Sequence, residues 1–236
     1  MKWLLEISDC PANLDFPILG TQVSKGIKKG PWQFSKDDII AALSEESDLA
    51  LDVDGLFSDE QHSPILPQGT IRYSHTTDFS RERITMTLPK KQWDIRYGDE
   101  QELFPIEFPK LILQFVLVAS SNASEKAMVE TRIFAIRDDE EVNDTTQLYS
   151  FPFPNVGKTN GIVCWGANQR LTFKSLTDLE RAFVWFVAAP FNEDHGVKTT
   201  FPISNFRKLI EVIQDTSFND DWLIPLNMNL GDLFKK

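Results

Sequence analysis

The sequence contains little cysteine and little histidine. Its 236 residues include 2 cysteines and 3 histidines. Cys10 and Cys164 are too few for a disulfide framework, and His62 and His75 are too isolated to form a metal site. We therefore predict neither a bound metal nor another cofactor.

Long hydrophobic runs are also missing. No apolar run of the sequence approaches the ~20 residues that a helix needs to cross a bilayer. The first residues, MKWLLEISDCP, contain one lysine and a short apolar run that Glu6 interrupts, which is not typical of a secretory signal peptide. We expect a protein without a membrane partner that resides in the cytoplasm, where a thiol stays reduced.

Positive charge is scarce as well. The chain has 24 Lys and Arg against 35 Asp and Glu, which gives a formal net charge of −11 at pH 7. Because such a charge repels the phosphates of nucleic acids and of anionic lipids, neither is predicted as a partner. Aromatic residues are abundant instead, with 18 Phe and 6 Trp, and they favour a globular protein with a large core.

The first part of the chain predicts an N-terminal α/β extension over residues 1–62, followed by the main domain over residues 63–236. WLLEI (3–7) favours a strand, and SKDDIIAALSE (35–45) begins with a capping box and favours a helix. LALDV, inside an acidic run, indicates a further short strand. The Pro- and Gly-containing stretch HSPILPQG marks the boundary.

The main domain favours strands first and helices afterwards. Five β-rich runs follow one another with short connections and predict an antiparallel meander: 70–76, 83–88, 92–97, 109–120 and 128–138. Later, Ser175 with Asp178 predicts a capped helix that ends at Pro190, and Ser204 predicts the cap of another. This order predicts an α+β fold in which helices flank the sheet.

The stretch YSFPFPNVGKTNGIVCWG (149–166) contains Cys164 and has two interpretations. The cysteine is either a small buried core residue or a nucleophile that a built turn presents. Pro152 and Pro154 stiffen the chain before it. A presented thiolate could accept an acyl group as a thioester and pass it to an amine, while the side-chain amide of Asn155 stabilises the oxyanion.

The same stretch resembles the active-site segment of ubiquitin-conjugating enzymes. That segment has His-Pro-Asn, an aliphatic residue, a Gly-containing turn, and an aliphatic residue before the cysteine. Pro154 and Asn155 match the Pro-Asn pair, and Cys164 takes the place of the thioester-forming cysteine. Phe153 replaces the family histidine, and the nine positions from Asn155 to Cys164 are one more than in the usual eukaryotic pattern. These departures affect how the turn is held and where the Asn155 amide lies.

The chain is also similar to PRTRC system protein B, in the prokaryotic branch of that superfamily. The matching positions are Leu148–Tyr149, Pro152–Phe153, Asn155–Val156, Gly161, Val163–Cys164 and Gly166. The resemblance implies a ubiquitin-conjugating-enzyme-like fold and a thioester on Cys164. It also implies three partners: a ubiquitin-like modifier, a ThiF-like adenylating enzyme and a JAB-type isopeptidase.

Further residues are candidates for contacts with the modifier. Tyr149, Trp165 and Gly166 are predicted to shape the surface that binds its C-terminal tail, although packing in the core is the alternative for the two aromatic residues. His195 and Asp194 lie in the predicted loop PFNEDHGV and are candidates for proton transfer from an incoming amine. A solvated loop is the alternative for both.

Two other functions stay open at this point. A catalytically inactive variant would keep the fold and act as a binding or scaffold protein. A cysteine hydrolase would need His195 within hydrogen-bond reach of the sulfur. Exposure of Cys164 separates a nucleophile from a core residue, because a buried thiol is inert.

Overall fold

The structure is a computed structural model that describes residues 2–7, 15–46, 62–120, 125–166 and 171–235. The chain divides into two compact units, Met1–His62 and Ser63–Lys236. The predicted strand LALDV and Cys10 lie outside the described residues.

The first unit contains a three-stranded antiparallel sheet followed by a helix: β1 (Lys2–Ile7), β2 (Ile18–Ser24), β3 (Ile27–Phe34) and α1 (Lys36–Glu46). The predicted strand and helix are both present. The predicted capping box also forms, because the Asp38 N–H donates to Ser35 Oγ at 3.1 Å and the Ser35 N–H donates to Asp38 Oδ2 at 2.9 Å. β2 and β3 were not predicted, since glycine and proline inside them weaken the strand pattern.

The second unit is built on an antiparallel sheet. Its strands are β4 (Thr70–His75), β5 (Arg81–Leu88), β6 (Lys91–Arg96), β7 (Leu103–Phe108), β8 (Leu111–Ala119), β9 (Lys126–Ala135), β10 (Gln147–Ser150), β11 (Thr172–Phe173) and β12 (Pro225–Asn229). The sheet order is β4–β5–β8–β9–β10–β12, with β11 also pairing with β9. The α+β class is therefore confirmed. The predicted meander is interrupted, because β6 and β7 pair with each other while β5 pairs directly with β8.

Two helices cover one face of this sheet: α2 (Leu179–Ala188) and α3 (Phe206–Ile213). The predicted capping box of Ser175 and Asp178 is present and begins a short 3-10 turn that leads into α2. The cap predicted at Ser204 is wrong. Asn205 caps α3 instead, because its side-chain oxygen accepts from the Lys208 N–H at 2.9 Å. Within the described ranges, no helix combines the length and the apolar character that crossing a bilayer requires.

The core between the sheet and the helices is rich in phenylalanine. Its apolar helix positions are buried: Leu179, Ala182, Phe183, Phe186, Val187, Phe206, Leu209, Ile210 and Ile213. A smaller apolar cluster covers the other side of the sheet: Ile112, Phe134, Ile136, Leu148, Leu230 and Leu233. Because β8 and β9 are packed on both faces, they provide a rigid base for the chain segment that follows β10.

Candidate functional site

Residues 155–164 form a narrow hairpin, which we call the cysteine hairpin. The Cys164 N–H donates to the Asn155 carbonyl at 2.8 Å, and the Gly157 N–H donates to the Ile162 carbonyl at 2.8 Å. These bonds pair the two sides of the hairpin through the main chain. The cysteine therefore lies at a defined position opposite Asn155.

Strand β9 holds the cysteine hairpin. The Val163 N–H donates to the Thr131 carbonyl at 2.9 Å, and the Ile133 N–H donates to the Gly161 carbonyl at 2.8 Å. Gly161 has a φ of +66°, and a Cβ there would lie 2.6 Å from the ring of Phe134. Only glycine combines this backbone conformation with so close an approach. The hairpin thus lies directly on a buried strand.

Phe153 anchors the chain that enters the cysteine hairpin. Its side chain is 0% exposed. The ring centroid lies 5.1 Å from that of Phe108, 5.6 Å from Phe206 and 5.8 Å from Phe218. Aromatic packing therefore holds the chain at the entrance to the hairpin.

The thiol of Cys164 is exposed and free. Its neighbour Val163 is 5% exposed and belongs to the core, so successive side chains of the hairpin lie on opposite sides, as in a strand. The interpretation of Cys164 as a buried core residue is wrong. Gly166 has a φ of +60°, and apart from its two chain neighbours no atom of the described residues lies within 4 Å of the position that a Cβ would take there.

Asn155 connects the cysteine hairpin to the loop of residues 190–198, which we call the facing loop. Its N–H donates to the Asp194 carbonyl at 2.9 Å, and its side-chain Nδ2 donates to the Pro190 carbonyl at 3.1 Å. Asn155 is 7% exposed and has a φ of +65°, a conformation that asparagine tolerates better than most residues. The amide predicted to stabilise an oxyanion therefore also braces the two segments.

A protein-family model matches the part of the chain that contains this site. The model described as prokaryotic E2 family D matches residues 81–226, a range that contains both the cysteine hairpin and the facing loop. The chain belongs to prokaryotic E2 family D. E2 denotes a ubiquitin-conjugating enzyme, so the protein is conjugating-enzyme-like. No curated protein and no solved structure matches the chain.

In this E2-family protein, three consecutive residues of the facing loop, Glu193, Asp194 and His195, are exposed, and the first of them makes structural hydrogen bonds. The Glu193 carboxylate accepts from the Phe206 N–H at 3.1 Å, where α3 begins, and from the Tyr97 hydroxyl at 2.9 Å. Glu193 is thus part of the cap of α3. Asp194 and His195 are exposed. The structure brings the backbone of Asp194 against the cysteine hairpin, as the Asn155 hydrogen bond shows.

The residues predicted to contact the modifier have different environments. Tyr149 is 9% exposed and pairs with Ala135 of β9, so its ring belongs to the core beneath the site. Trp165 is half-buried, and its ring packs edge-on against Phe186 at 6.3 Å. Of these three residues, Trp165 and Gly166 are the ones with accessible surface beside the thiol.

Lys198 was not predicted as part of the site. Its side chain is 2% exposed, and Nζ donates to the carbonyls of Val156 at 3.0 Å, Gly196 at 2.9 Å and His195 at 3.4 Å. Burial, with a smaller contribution from the charge of Lys158, lowers the pKa of Lys198 from 10.5 to about 7. The sequence offers no signal for this position, because a lysine after a polar loop is normally exposed.

The groups around the thiol favour nucleophilic chemistry. Besides Cys164, the exposed titratable residues of the two segments are Lys158, Glu193, Asp194 and His195. In the part of the chain that the structure describes, no group of three or more His, Cys, Asp or Glu could hold a metal ion. An exposed thiol can act as a nucleophile, and carboxylate and imidazole groups can in general accept a proton.

Proposed function

We propose that this protein carries a ubiquitin-like modifier as a thioester on Cys164 and transfers it to an amine. The single observation that supports this most is the exposed thiol at the end of a hairpin that is fixed on β9, in a chain of prokaryotic E2 family D. A fixed and accessible cysteine is what a thioester carrier requires. Within that family, the resemblance to PRTRC system protein B makes this branch our more specific proposal.

The proposed reaction has two steps. The Cys164 thiolate first attacks the carbonyl of the modifier's thioester with its activating enzyme, and a C–S bond forms as the enzyme's thiolate leaves. An amine nitrogen then attacks the new thioester carbonyl, so that a C–N bond forms and the Cys164 thiolate leaves. The nitrogen gives up one proton, for which Asp194 and His195 are the proposed acceptors.

Both steps pass through a tetrahedral intermediate with a negatively charged oxygen. Asn155 is the proposed donor to this oxyanion, because an amide nitrogen has two hydrogens and the Pro190 carbonyl accepts one of them. Trp165 and Gly166 are proposed to contact the modifier's tail. The proposed part of Tyr149 is to support the hairpin from the core.

The partners follow from this chemistry. Membership of an E2-like family implies a ubiquitin-like modifier and an E1-like activating enzyme in general. We propose that the activating enzyme is ThiF-like and that a JAB-type isopeptidase reverses the modification, all in the cytoplasm. Residues 1–62 are proposed to be an extension of the conjugating-enzyme-like domain of residues 63–236.

Loading of the thiol tests the proposal. The probe is a fluorescent peptide that ends in Gly-Gly and is supplied as its C-terminal mercaptoethanesulfonate thioester. We expect the protein to take up the fluorescent acyl group, and excess thiol to remove it. Cys164→Ala should give no adduct. With a ThiF-like enzyme and its modifier, Cys164→Ser should give an ester that resists thiol. Failure of the native protein to form any Cys164 adduct with either donor would refute the thioester role.

A binding or scaffold role is the second candidate. The observation that favours it is the Asn155 side chain, which is almost fully buried and already bonded to Pro190. Such a protein would bind the modifier without forming an adduct, which calorimetry would detect. A cysteine hydrolase lacks support, since His195 makes no hydrogen bond to the thiol among the contacts of the described residues.

A further inference from the structure

A buried ammonium group joins the cysteine hairpin to the facing loop. A lysine ammonium has three hydrogens, and the carbonyls of Val156, His195 and Gly196 accept all three from Lys198. No carboxylate lies within ion-pair distance of Lys198 among the residues that the structure describes. The cation is therefore held by carbonyl dipoles from both segments.

The main chain of the facing loop directs one carbonyl at the cysteine hairpin and the next two at the Lys198 ammonium. His195 and Gly196 have φ values of +64° and +60°. The Asp194 carbonyl accepts from the Asn155 N–H, and the next two carbonyls accept from Lys198. The side chains of Asp194 and His195 stay exposed. The hydrogen bonds of Lys198 thus help to determine where these two side chains lie relative to the hairpin.

We propose that Lys198 is a positioning residue for amine transfer, which holds the facing loop and its exposed Asp194 and His195 beside the thioester on Cys164. This inference rests on the proposed function. Loading requires the accessible thiol, which β9 holds through main-chain bonds that do not involve Lys198. Transfer requires in addition that a proton acceptor lie beside the attacking amine. Loss of Lys198 should therefore slow transfer more than loading.

Three variants separate these steps. Lys198→Met keeps an unbranched side chain one atom shorter and removes the charge and the donors, whereas Lys198→Arg keeps both the charge and donors. Lys208→Met is the matched control, because Lys208 is an exposed lysine of α3. Each protein is loaded with the fluorescent peptide thioester, freed of excess probe and mixed with free lysine. The rates of loading and of single-turnover transfer are both measured.

We expect loading within about twofold of the native rate for all three variants. Transfer should be slower by about tenfold or more in Lys198→Met, because a small displacement of a catalytic group is costly. Lys198→Arg should recover part of the rate, and Lys208→Met should match the native protein. Native transfer in Lys198→Met, or an equal loss of loading and transfer, would overturn the proposal.

A further variant, Gly196→Ala, covers the case in which Lys198→Met does not fold. Gly196→Ala strains the positive φ of the facing loop without a close steric contact, since no atom of the described residues other than its chain neighbours lies within 4 Å of the new Cβ. This variant disturbs the Gly196 carbonyl, which accepts a hydrogen bond from Lys198, and leaves Lys198 itself in place. Slower transfer with native loading would support the proposal, and unchanged transfer would contradict it.

Amide hydrogen exchange distinguishes this inference from the proposed function. If the native protein takes up no acyl group, the thioester role fails, but the role of Lys198 in holding the loop can still be measured. Lys198→Met, or Gly196→Ala in its place, should speed exchange at the Asn155 amide, which bonds to the Asp194 carbonyl. Lys208→Met should not. Unchanged exchange at Asn155 would show that Lys198 does not hold the loop.

Discussion

The cysteine hairpin and the facing loop lie against each other, but side chains contribute more to holding the loop than to holding the hairpin. The hairpin is bound to β9 by main-chain hydrogen bonds and by the close fit of Gly161. Main-chain hydrogen bonds also hold the facing loop, at Phe191, Asp194 and Lys198. Side chains add to them: the Asn155 amide, the Lys198 ammonium and the Glu193 carboxylate. The element that carries the nucleophile is thus set by backbone geometry. The element that carries the candidate proton acceptors depends in addition on these side chains, of which Lys198 is buried.

The largest expected effect is on the hairpin. Gly161→Ala forces a Cβ into a backbone with positive φ, 2.6 Å from the Phe134 ring and 2.9 Å from the Ile133 carbonyl. We expect the free energy of unfolding to fall by about 3 kcal/mol, from strain and overpacking together. Denaturant unfolding measures this change.

Gly166→Ala is the matched control for that variant. Its φ of +60° is similar, but among the described residues, its chain neighbours aside, no atom lies within 4 Å of the new Cβ. Only the backbone strain of about 1 kcal/mol applies there. If Gly161→Ala and Gly166→Ala lowered the free energy of unfolding equally, the close fit of Gly161 against β9 would not be what holds the hairpin.

The next effect concerns pH and the facing loop. Unfolded Lys198 holds its proton up to pH 10.5, while the folded protein releases it near pH 7, since burial lowers its pKa to about 7. Between these values the unfolded state binds more protons, so this lysine makes stability rise with pH. The stability of the native protein relative to Lys198→Met should therefore increase by about 2 kcal/mol between pH 7 and pH 9.

Urea unfolding of both proteins across this pH range provides the measurement. Lys208→Met serves again as the control, because Lys208 is exposed on α3. A constant difference between the native protein and Lys198→Met would show that Lys198 keeps its proton throughout. The facing loop would then not differ from the cysteine hairpin in its dependence on pH.

The smallest effect is expected at the cap of α3. Glu193→Ala leaves the Phe206 N–H and the Tyr97 hydroxyl without their carboxylate. We expect a loss of about 1 kcal/mol in the free energy of unfolding, which is typical of a lost cap. Asp194→Ala, one residue on, should leave stability nearly unchanged, because the residue is exposed and its side chain, among the described residues, bonds to the neighbouring Asn192. Thermal unfolding of the two variants would show no difference if Glu193 were not a structural residue.

Local patterns predicted part of the fold and of the site. The capping boxes at Ser35 and Ser175 formed as expected, since each depends on residues three positions apart. The strand runs were also found, because β-branched and aromatic residues favour the sheet. The direct pairing of β5 with β8 could not be predicted, since it depends on which strands meet across the inserted hairpin of β6 and β7.

The sequence by itself determined the α+β class, the turn that ends at Cys164 and the likeness to conjugating enzymes, because all three depend on neighbouring residues. Tertiary structure alone decided that Cys164 is exposed, that Glu193 caps α3 and that Lys198 is buried between two segments. The physical reason is that burial and polar contacts join residues that are far apart in the chain. No local pattern encodes which carbonyls converge on one ammonium group.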